Sequence, residues 1–529
     1  MTSARTPAPK SYRRPRGSWA TLALVLLMAG CTSLPTQGVR PVSHALADPA
    51  STALGQQAAH KRPDQVPADQ SGFALLASPD DAFAARLALA QQASQTLDIQ
   101  YYLIHADPSA ARLLGAVRAA AARGVRVRIL LDDLHAAGHD ALVMAMAQVP
   151  GVQMRMANPL PGSRKVGALR TLRSLGDFDR IQRRMHNKLF LADNAWGITG
   201  GRNLGDAYFG TARRSDYIDL DVLAAGPVVR SLSASFDQYW NDALAYPVGA
   251  LITPAELANL QETTQPRDAA APDKPAPPLP AALDLAEVQL HWAPVEALVD
   301  NPVKLVPGRS PGPEDTPEDA VLRGVLALMD AAQKDVLIVT PYFVPGDAMM
   351  ATFAGLRARD VPVRVLTNSL SSTTSLLAQV GYTRHRKQLL RLGIDLREMH
   401  AAERARLRQT LLGSGSSSNK ASLHVKLLVI DGQALVIGSM NMDLRSRLQN
   451  TEVALVIYSE PLSRQASRLV EDVIKASAWK LELAADGSLH WRAPPGADFS
   501  DASSEPDTGF WLRLLARLLD NPLVPDELL

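Results

Sequence analysis

The sequence is short of cysteine: Cys31 is the only one among 529 residues. A disulfide needs two thiols and structural zinc sites usually take several, so an internal disulfide framework and a cysteine-rich metal site are both excluded. A strong charge of one sign is missing as well. The formal net charge of +2 at pH 7 is too small to indicate a nucleic-acid partner, and none is expected. With 47% hydrophobic and 20% charged residues, the chain has the composition of a globular protein of two or three domains.

Long apolar runs are also scarce, and the one near the N-terminus is short. Residues 1–18 contain several arginines and no acid, an apolar run follows from Trp19 to Met28, and the stretch ends in Ala29-Gly30-Cys31. A basic start, a short apolar run and small residues are typical of a secretory signal peptide, which is too short for a transmembrane helix. The ending resembles a bacterial lipobox, which implies a lipoprotein-type signal peptide over 1–30 and an acylated Cys31. A short membrane anchor or a buried start of the fold are the alternatives.

Beyond the signal, the chain divides by composition. Residues 31–72 are rich in Pro, Ala, Gln and Ser without apolar periodicity, which predicts a tether. Residues 251–317 include a segment dense in Pro, Ala and charge, which predicts a linker or excursion. Residues 483–529 are predicted to be a tail with an amphipathic helix, for which docking on the core is preferred over a membrane surface.

Helix and strand patterns alternate in the same order in the two remaining segments, 73–250 and 318–482. The first predicts helices over 81–93 and 109–123 with strands over 97–103 and 125–131. The second predicts helices over 318–332 and 349–359 with strands over 335–340 and 363–366. The chain is therefore expected to be a tandem repeat of one α/β unit.

Each repeat contains the same motif, in which His, one residue, Lys, four residues and Asp are followed by a small-residue turn that ends in Asn. Ile99 precedes His186 by 87 residues and Ile338 precedes His424 by 86, so the two motifs occupy equivalent places. Two copies in one register indicate a single active site assembled from two halves. The candidate catalytic residues are His186, Lys188 and Asp193 in the first copy and His424, Lys426 and Asp431 in the second. The candidate substrate-binding residues are Asn203, Asn441 and Ser439.

The repeated residue types suit a phosphodiester. On a strand His and Lys two apart face the same side, and Lys and Asn can stabilise the negative charge of a five-coordinate phosphorus. One neutral imidazole can attack phosphorus while the other gives its proton to the leaving alkoxide. Glu452 and Asp221 are the candidates to hold the second ring nitrogen of each histidine. A zinc site is disfavoured because Lys is not a usual ligand, and a purely structural role for each histidine is disfavoured by the duplication.

Basic residues are dense just before each motif, over 164–184 and 384–408. Such runs are typical either of a solvated face or of a rim that attracts phosphate-bearing substrates and anionic headgroups. Because both runs flank the same motif, the rim is preferred.

The motifs resemble the paired His-x-Lys-x4-Asp signatures of the phospholipase D superfamily. The stretches Arg183-Arg-Met-His-Asn-Lys188, Pro341-Tyr-Phe-Val-Pro345 and Gly438-Ser-Met-Asn-Met-Asp-Leu-Arg445 are similar to those of bacterial cardiolipin synthases, particularly the C-type branch. The resemblance implies an α/β fold, a tandem pseudo-twofold repeat of two phospholipase D-like α/β/α sandwich domains with one shared active site. It also implies that the lysines and asparagines bind phosphate, that Asp193 and Asp431 support the site, and that no metal or cofactor is needed.

The same resemblance implies a phosphatidyltransferase. A phosphatidyl group carried on one histidine would pass to a glycerol hydroxyl of phosphatidylglycerol, with phosphatidylethanolamine as a possible donor. We favour His186 as the nucleophile and His424 as the proton donor. A phospholipase D-type hydrolase is the first alternative, and a nuclease or a non-catalytic lipid-binding envelope protein are the others. The partners would be phospholipids and a membrane surface. The expected location is the bacterial cell envelope, facing the periplasm, with the outer membrane preferred because Thr32 rather than Asp follows Cys31.

Overall fold

The structure is a computed structural model. It describes residues 34, 40–134, 141–160, 178–211, 216–252, 255, 256, 258, 280–309, 317, 319–400 and 421–520. The signal peptide over 1–30, Cys31 and large parts of the two basic runs lie outside the described residues. Among the described helices, none has the length and apolar character needed to cross a bilayer.

The first repeat is built on one nine-stranded sheet. Its strands are β1 (Ser71–Leu76), β2 (Thr96–Tyr101), β3 (Arg126–Asp132), β4 (Val152–Ala157), β5 (Leu189–Ala192), β6 (Trp196–Gly200), β8 (Asp221–Ala225), β9 (Ala245–Pro247) and β10 (His291–Ala293). Its helices are α1 (Ala53–Lys61), α2 (Pro79–Gln92), α3 (Pro108–Ala122), α4 (Ala141–Met144), α5 (Phe178–Gln182), α6 (Pro227–Asn241) and α7 (Val248–Leu251).

The second repeat has a nine-stranded sheet of its own. Its strands are β11 (Val295–Val299), β12 (Val336–Val339), β13 (Val363–Asn368), β14 (Asp395–Met399), β16 (Leu427–Ile430), β17 (Ala434–Gly438), β18 (Val453–Tyr458), β19 (Ala478–Leu483) and β20 (Leu489–Arg492). Its helices are α8 (Ala320–Ala331), α9 (Asp347–Ala358), α10 (Leu376–Arg391), α11 (Leu444–Leu448), α12 (Glu460–Ser477) and α13 (Phe510–Leu519). Two short strands, β7 (Asp216–Ile218) and β15 (Ala421–Leu423), form a third sheet between the halves.

The two large sheets have matching topology, which confirms the predicted tandem α/β repeat. Their orders are β10-β1-β8-β6-β5-β2-β3-β4-β9 and β11-β18-β17-β16-β12-β13-β14-β19-β20. In each sheet three parallel strands are followed by an antiparallel hairpin, β5–β6 or β16–β17, which carries the motif. Strands β5, β16 and β17 are apolar and fully buried, as expected for strands covered on both faces.

One apolar cluster joins the halves. It contains Leu189 and Leu191 of β5, Leu427 of β16, and side chains of α6 and α12 such as Phe236 and Val470, all buried. Because both sheets contribute to this core, the two repeats pack against each other as layers and are not joined by a linker alone.

The N-terminal tether was predicted too long, because residues 40–70 pack on the first repeat. The α1 residues Leu54 and Ala58 are spaced four apart and are buried, and the Trp196 indole donates to the Leu54 carbonyl at 3.0 Å. Arg128 and Arg155 in the sheet donate to the carbonyls of residues 43 and 41 at 2.9 and 2.7 Å. This segment shows little apolar pattern because it is held largely by hydrogen bonds to its backbone carbonyls.

The predicted linker and tail also contribute strands. Within 251–317, β10 extends the first sheet beside β1 and β11 pairs with β18 of the second. The tail boundary at 483 falls at the end of β19, which continues into a hairpin with β20. The tail helix α13 packs against α10, the docking on the core that the sequence analysis preferred. Arg384 of α10 pairs with Asp520, the residue that follows α13, at 3.0 Å. The outer face of α13 is exposed.

Leu54→Ala tests whether this N-terminal segment is part of the fold. Because Leu54 is fully buried against the first sheet, we expect a loss of about 2–5 kcal/mol in the free energy of unfolding, measured by urea denaturation. The control Gln56→Ala, on the exposed side of α1, should change it by less than about 0.5 kcal/mol. Equal stability of the two variants would contradict the packing described.

Candidate active site

The two motifs meet through backbone contacts between the halves. The His186 amide donates to the Thr451 carbonyl at 3.0 Å, and the His424 amide donates to the Ile218 carbonyl at 2.8 Å. Met185 forms a parallel bridge with Thr451, and β15 pairs in parallel with β7. The His-x-Lys segments thus lie in extended backbone just before β5 and β16, not inside those strands as predicted.

Each histidine is held by a carboxylate of the other half. His186 Nδ1 lies 2.9 Å from Glu452 Oε2, and His424 Nδ1 lies 2.6 Å from Asp219 Oδ2. Both pairs are buried. A carboxylate on Nδ1 fixes the ring orientation and leaves Nε2 as the nitrogen available for chemistry.

The prediction of Asp221 as an imidazole partner is wrong. Gly200 pairs with Asp221, as Gly438 pairs with Ala454, so the sheet register makes Asp219 the equivalent of Glu452. Asp221 is buried elsewhere, where its carboxylate accepts from the Arg86 guanidinium at 2.8 Å.

The residue after each of these glycines is fitted to its carboxylate. A Cβ on Gly201 would lie 2.1 Å from Asp219 Oδ1, so that position must be glycine. The equivalent residue in the second repeat is Ser439, whose hydroxyl donates to Glu452. The structure therefore places Ser439 behind Glu452 rather than on the cavity surface, contrary to the predicted substrate contact.

Both lysines are buried beside the histidines. Lys188 Nζ donates to the His186 carbonyl at 2.8 Å, and Lys426 Nζ donates to the His424 carbonyl at 2.6 Å. Burial lowers the pKa of Lys188 to about 7 and that of Lys426 to about 8, although Glu452 and Asp219 oppose the change. The site thus holds two cations at a cost in free energy, which an incoming phosphate can relieve.

The two imidazoles differ in their electrostatic surroundings. Burial, with Lys188 and Lys426, lowers the pKa of His186 well below its usual value. Burial and Lys426 lower the pKa of His424 to about 4, against the opposing effect of Asp219. Burial raises the pKa of Glu452 to about 7, whereas His424, Lys426 and Arg202 outweigh burial and lower the pKa of Asp219. The His424 pair is therefore the better one for holding a positive charge.

The histidines open onto a cavity of about 310 Å³. Its wall includes Asn203 and Asn441, as predicted from the motif, and their Oδ1 atoms are buried without a partner among the described residues. The Asn203 amide donates to the Tyr208 hydroxyl at 3.0 Å. Because an amide oxygen accepts hydrogen bonds, these unpaired atoms suit a ligand that donates, such as an alcohol hydroxyl. A phosphate oxygen only accepts, so it would be bound by the NH2 groups of the same side chains.

Several lining residues were not predicted from sequence. The Tyr102 ring lies edge-on to His186 with centroids 5.1 Å apart, and Tyr208 and Tyr217 lie 5.4 and 5.0 Å from His424. The other unpredicted lining residues are Leu103, Tyr342, Thr374, Ser375, Ala378, Asp443, Arg445 and Asn450. The repeat offered a signal for two of them, because Tyr102 follows β2 as Tyr342 follows β12.

Asp193 and Asp431 lie at the opposite end of the motif hairpins, so their predicted catalytic role is not supported by direct contact. Five residues of extended chain place each about 16 Å from its lysine. Asp193 accepts from the backbone amides of 94, 95 and 96, and Asp431 from those of 333, 334 and 335. Each carboxylate fastens its hairpin turn to the chain at the start of the central strand β2 or β12, a supporting role.

Among the described residues, no cluster of three or more His, Cys, Asp or Glu side chains is arranged to bind a metal ion. The described cavity offers imidazoles, side-chain amides and the Arg445 guanidinium, which suit a phosphate rather than a divalent cation.

Lys188→Met tests the cost of the buried cations. The folded protein holds Lys188 with a lowered pKa, so below pH 7 its charge destabilises the fold, and this penalty disappears as pH rises from about 7 to 10.5. We expect the variant to be about 1–4 kcal/mol more stable than the parent at pH 6 by urea denaturation, with a smaller difference at pH 9. The exposed control Lys475→Met should not show this pH dependence. A variant less stable than the parent at both pH values would contradict the electrostatic description.

The comparisons with known proteins agree with this geometry. The family described as "Cardiolipin synthase, PLD-like domain" matches residues 87–240 and 325–474, one match in each repeat. The chain is 35% identical to Cardiolipin synthase C of Escherichia coli K12, covering 85% of this chain and 94% of that protein. It is 30% identical to an uncharacterized protein of Helicobacter pylori 26695, covering 90% and 92%.

Among solved structures, phosphatidylserine synthase of Haemophilus influenzae superposes with a TM-score of 0.51 at 14% identity, covering 78% of this chain and 88% of that one. At that identity the likeness concerns the fold. Together with the paired motifs and the matching sheets, these matches show that the chain belongs to the cardiolipin synthase family of phospholipase D-like proteins.

Proposed function

We propose that the protein is a membrane-tethered phosphatidyltransferase that makes cardiolipin from phosphatidylglycerol and a second phospholipid through a phosphohistidine intermediate. The observation that carries this proposal is the pair of imidazoles that open onto one cavity, each backed by a carboxylate of the opposite half and each with a buried lysine beside it. The relation to Cardiolipin synthase C, over most of both chains, supports the choice of substrate.

In the first step, Nε2 of His186 attacks the phosphorus of the donor phospholipid. The new P–N bond replaces the bond to the headgroup oxygen, and that oxygen takes a proton from Nε2 of His424. Lys188, Lys426, Asn203 and Asn441 bind the non-bridging oxygens, where negative charge develops. The products of this step are a free headgroup alcohol and a phosphatidyl group on His186.

The different surroundings of the two histidines support these roles. A nucleophile must be unprotonated, and burial with Lys188 and Lys426 lowers the pKa of His186 well below its usual value. His424 faces an Asp219 carboxylate that remains ionised, so it is the imidazole better able to hold a proton. A bound phosphodiester brings a negative charge next to the lysines, which raises the pKa of His424 from its value of about 4 in the empty site.

In the second step, a glycerol hydroxyl of phosphatidylglycerol gives its proton to His424 and its oxygen attacks the phosphohistidine. The P–N bond breaks, His186 is regenerated and cardiolipin leaves. Water in place of the alcohol would give phosphatidic acid, so the acceptor decides between transfer and hydrolysis. The tyrosines around the histidines narrow the cavity and reduce access of water.

We propose that acylation of Cys31 holds this site against a membrane on the periplasmic side of the cell envelope, preferentially the outer membrane. The segment from residue 32 to about 39 would then separate the lipid anchor from the packed residues that follow.

Incubation with phosphatidylglycerol and phosphatidylethanolamine, followed by mass spectrometry of the lipids, tests the reaction. We expect cardiolipin from the parent and a loss of about 10³-fold or more in both His186→Asn and His424→Asn, since each histidine has a step that the other cannot perform. As a control, Asp193→Asn should retain most activity once corrected for folded protein. Phosphatidic acid as the only product would contradict the transferase and support the hydrolase.

The pH dependence of kcat/KM tests the role of the lysines. They bind phosphate only while protonated, and their lowered pKa values of about 7 and 8 place the loss of charge near neutrality. We expect kcat/KM to fall at least about tenfold between pH 7 and 9. Lys188→Arg retains its charge throughout, so the alkaline limb should move upward to the loss of charge of Lys426 near pH 8. A profile that is flat to pH 9 would show that phosphate binding does not depend on these ammonium groups.

A further inference from the structure

We propose that α13 is an interfacial helix that inserts its outer face into an anionic phospholipid bilayer and so orients the active-site mouth towards the lipid. The observation is an apolar stripe that the fold leaves uncovered. Trp511, Leu515 and Leu518 follow the spacing i, i+4, i+7 and are 76%, 47% and 66% exposed. This inference rests on the proposed function, because the partner is the surface in which the substrates reside.

The exposure of this stripe is not typical of the rest of the surface. Eight large apolar side chains are exposed among the described residues, and four of them lie in this ten-residue helix. The inner side of α13 already contacts the rest of the fold, since the side chains of Leu512, Ala516 and Leu519 are half-buried. A helix that is apolar on both sides needs a second apolar surface to cover it.

Charge next to the stripe favours a bilayer over an apolar protein partner. The inner edge of α13 and the facing side of α10 line a crevice of about 460 Å³ that contains Lys387, Arg513 and Arg517. The acids in that crevice are already paired, Glu505 with Arg386 and Asp520 with Arg384. The excess positive charge therefore lies at the height of the headgroups when the stripe enters the acyl region.

The position of α13 relates it to the active site. It packs on α10, and the first turn of α10 supplies Ser375 and Ala378 to the active-site cavity. Leu377 in that turn is 43% exposed and lies seven residues from Arg384, the contact with α13, which is about 10 Å along one face of α10. Leu377 is thus an exposed apolar side chain beside the cavity-lining residues and on the face of α10 that meets α13, where an acyl chain must remain in the bilayer while its phosphate enters.

The lone cysteine makes a clean experiment possible. In the chain without residues 1–31 there is no basic apolar N-terminus, no thiol and no acylation site, so vesicle binding reports the remaining surface alone. We expect this protein to float with vesicles of phosphatidylglycerol and phosphatidylcholine. Trp511→Glu with Leu518→Glu should lower the binding at least about tenfold, whereas the matched control Val42→Glu with Tyr458→Glu, at exposed positions elsewhere, should leave it unchanged.

A second measurement places the helix in the bilayer. A fluorophore attached at Trp511→Cys in the same background should be shielded from an aqueous quencher when vesicles are added, and one at Val42→Cys should not. Shielding before vesicles are added would indicate that another part of the chain or a second copy covers the stripe, and would overturn the proposal. Absence of vesicle binding by the parent, or equal binding by the glutamate variant, would also overturn it.

The outcome is separable from that of the proposed function. A short-chain phosphatidylglycerol below its micellar concentration is monomeric, so its conversion does not need a bilayer. We expect the glutamate variant to convert it within about twofold of the parent while its activity on vesicles falls with its binding. Loss of both activities alike would assign the helix to folding of the site rather than to docking.

Discussion

The structure depends on an exchange of carboxylates between its halves. Glu452 of the second repeat holds His186 of the first, and Asp219 of the first holds His424 of the second. The backbone amides of His186 and His424 also bond across the halves, to the carbonyls of Thr451 and Ile218. Each of these carbonyls lies one residue before the carboxylate that holds the histidine. Neither repeat contains a complete site, because each carries an imidazole whose orienting partner belongs to the other.

This constraint explains why so much charge is buried. Two lysines, two histidines and two acids lie in the interior, where each single charge would be expensive. Placing them in one cluster allows the charges to offset one another, and the pKa changes show that the balance is incomplete: the lysines are pushed towards neutrality and Glu452 towards protonation. A phosphodiester completes the balance, so the site is prepared for that charge before the substrate arrives.

Sequence was informative where a signal was repeated. The strands before the two motifs and the hairpins after them lie where the repeat predicts, because a doubled pattern in one register is hard to produce by chance. The His-x-Lys segments lie just before β5 and β16 rather than inside a strand. The error at Asp221 has a physical origin: alternate residues at 219 and 221 share one face, and only the pairing register with Gly200 tells which one reaches the histidine of the other half. The ordered 40–70 segment and the edge strands β10 and β20 were missed because they are short or held by backbone hydrogen bonds that leave little apolar pattern.

The crosswise pairing can be tested directly by ¹⁵N NMR of the His186 and His424 rings in protein labelled only at histidine. We expect Glu452→Gln to change the Nδ1 chemical shift and the titration of His186 while leaving those of His424 nearly unchanged. We expect Asp219→Asn to do the reverse. If each histidine instead responded to the carboxylate of its own repeat, His186 to Asp219 and His424 to Glu452, the shared site described here would be contradicted.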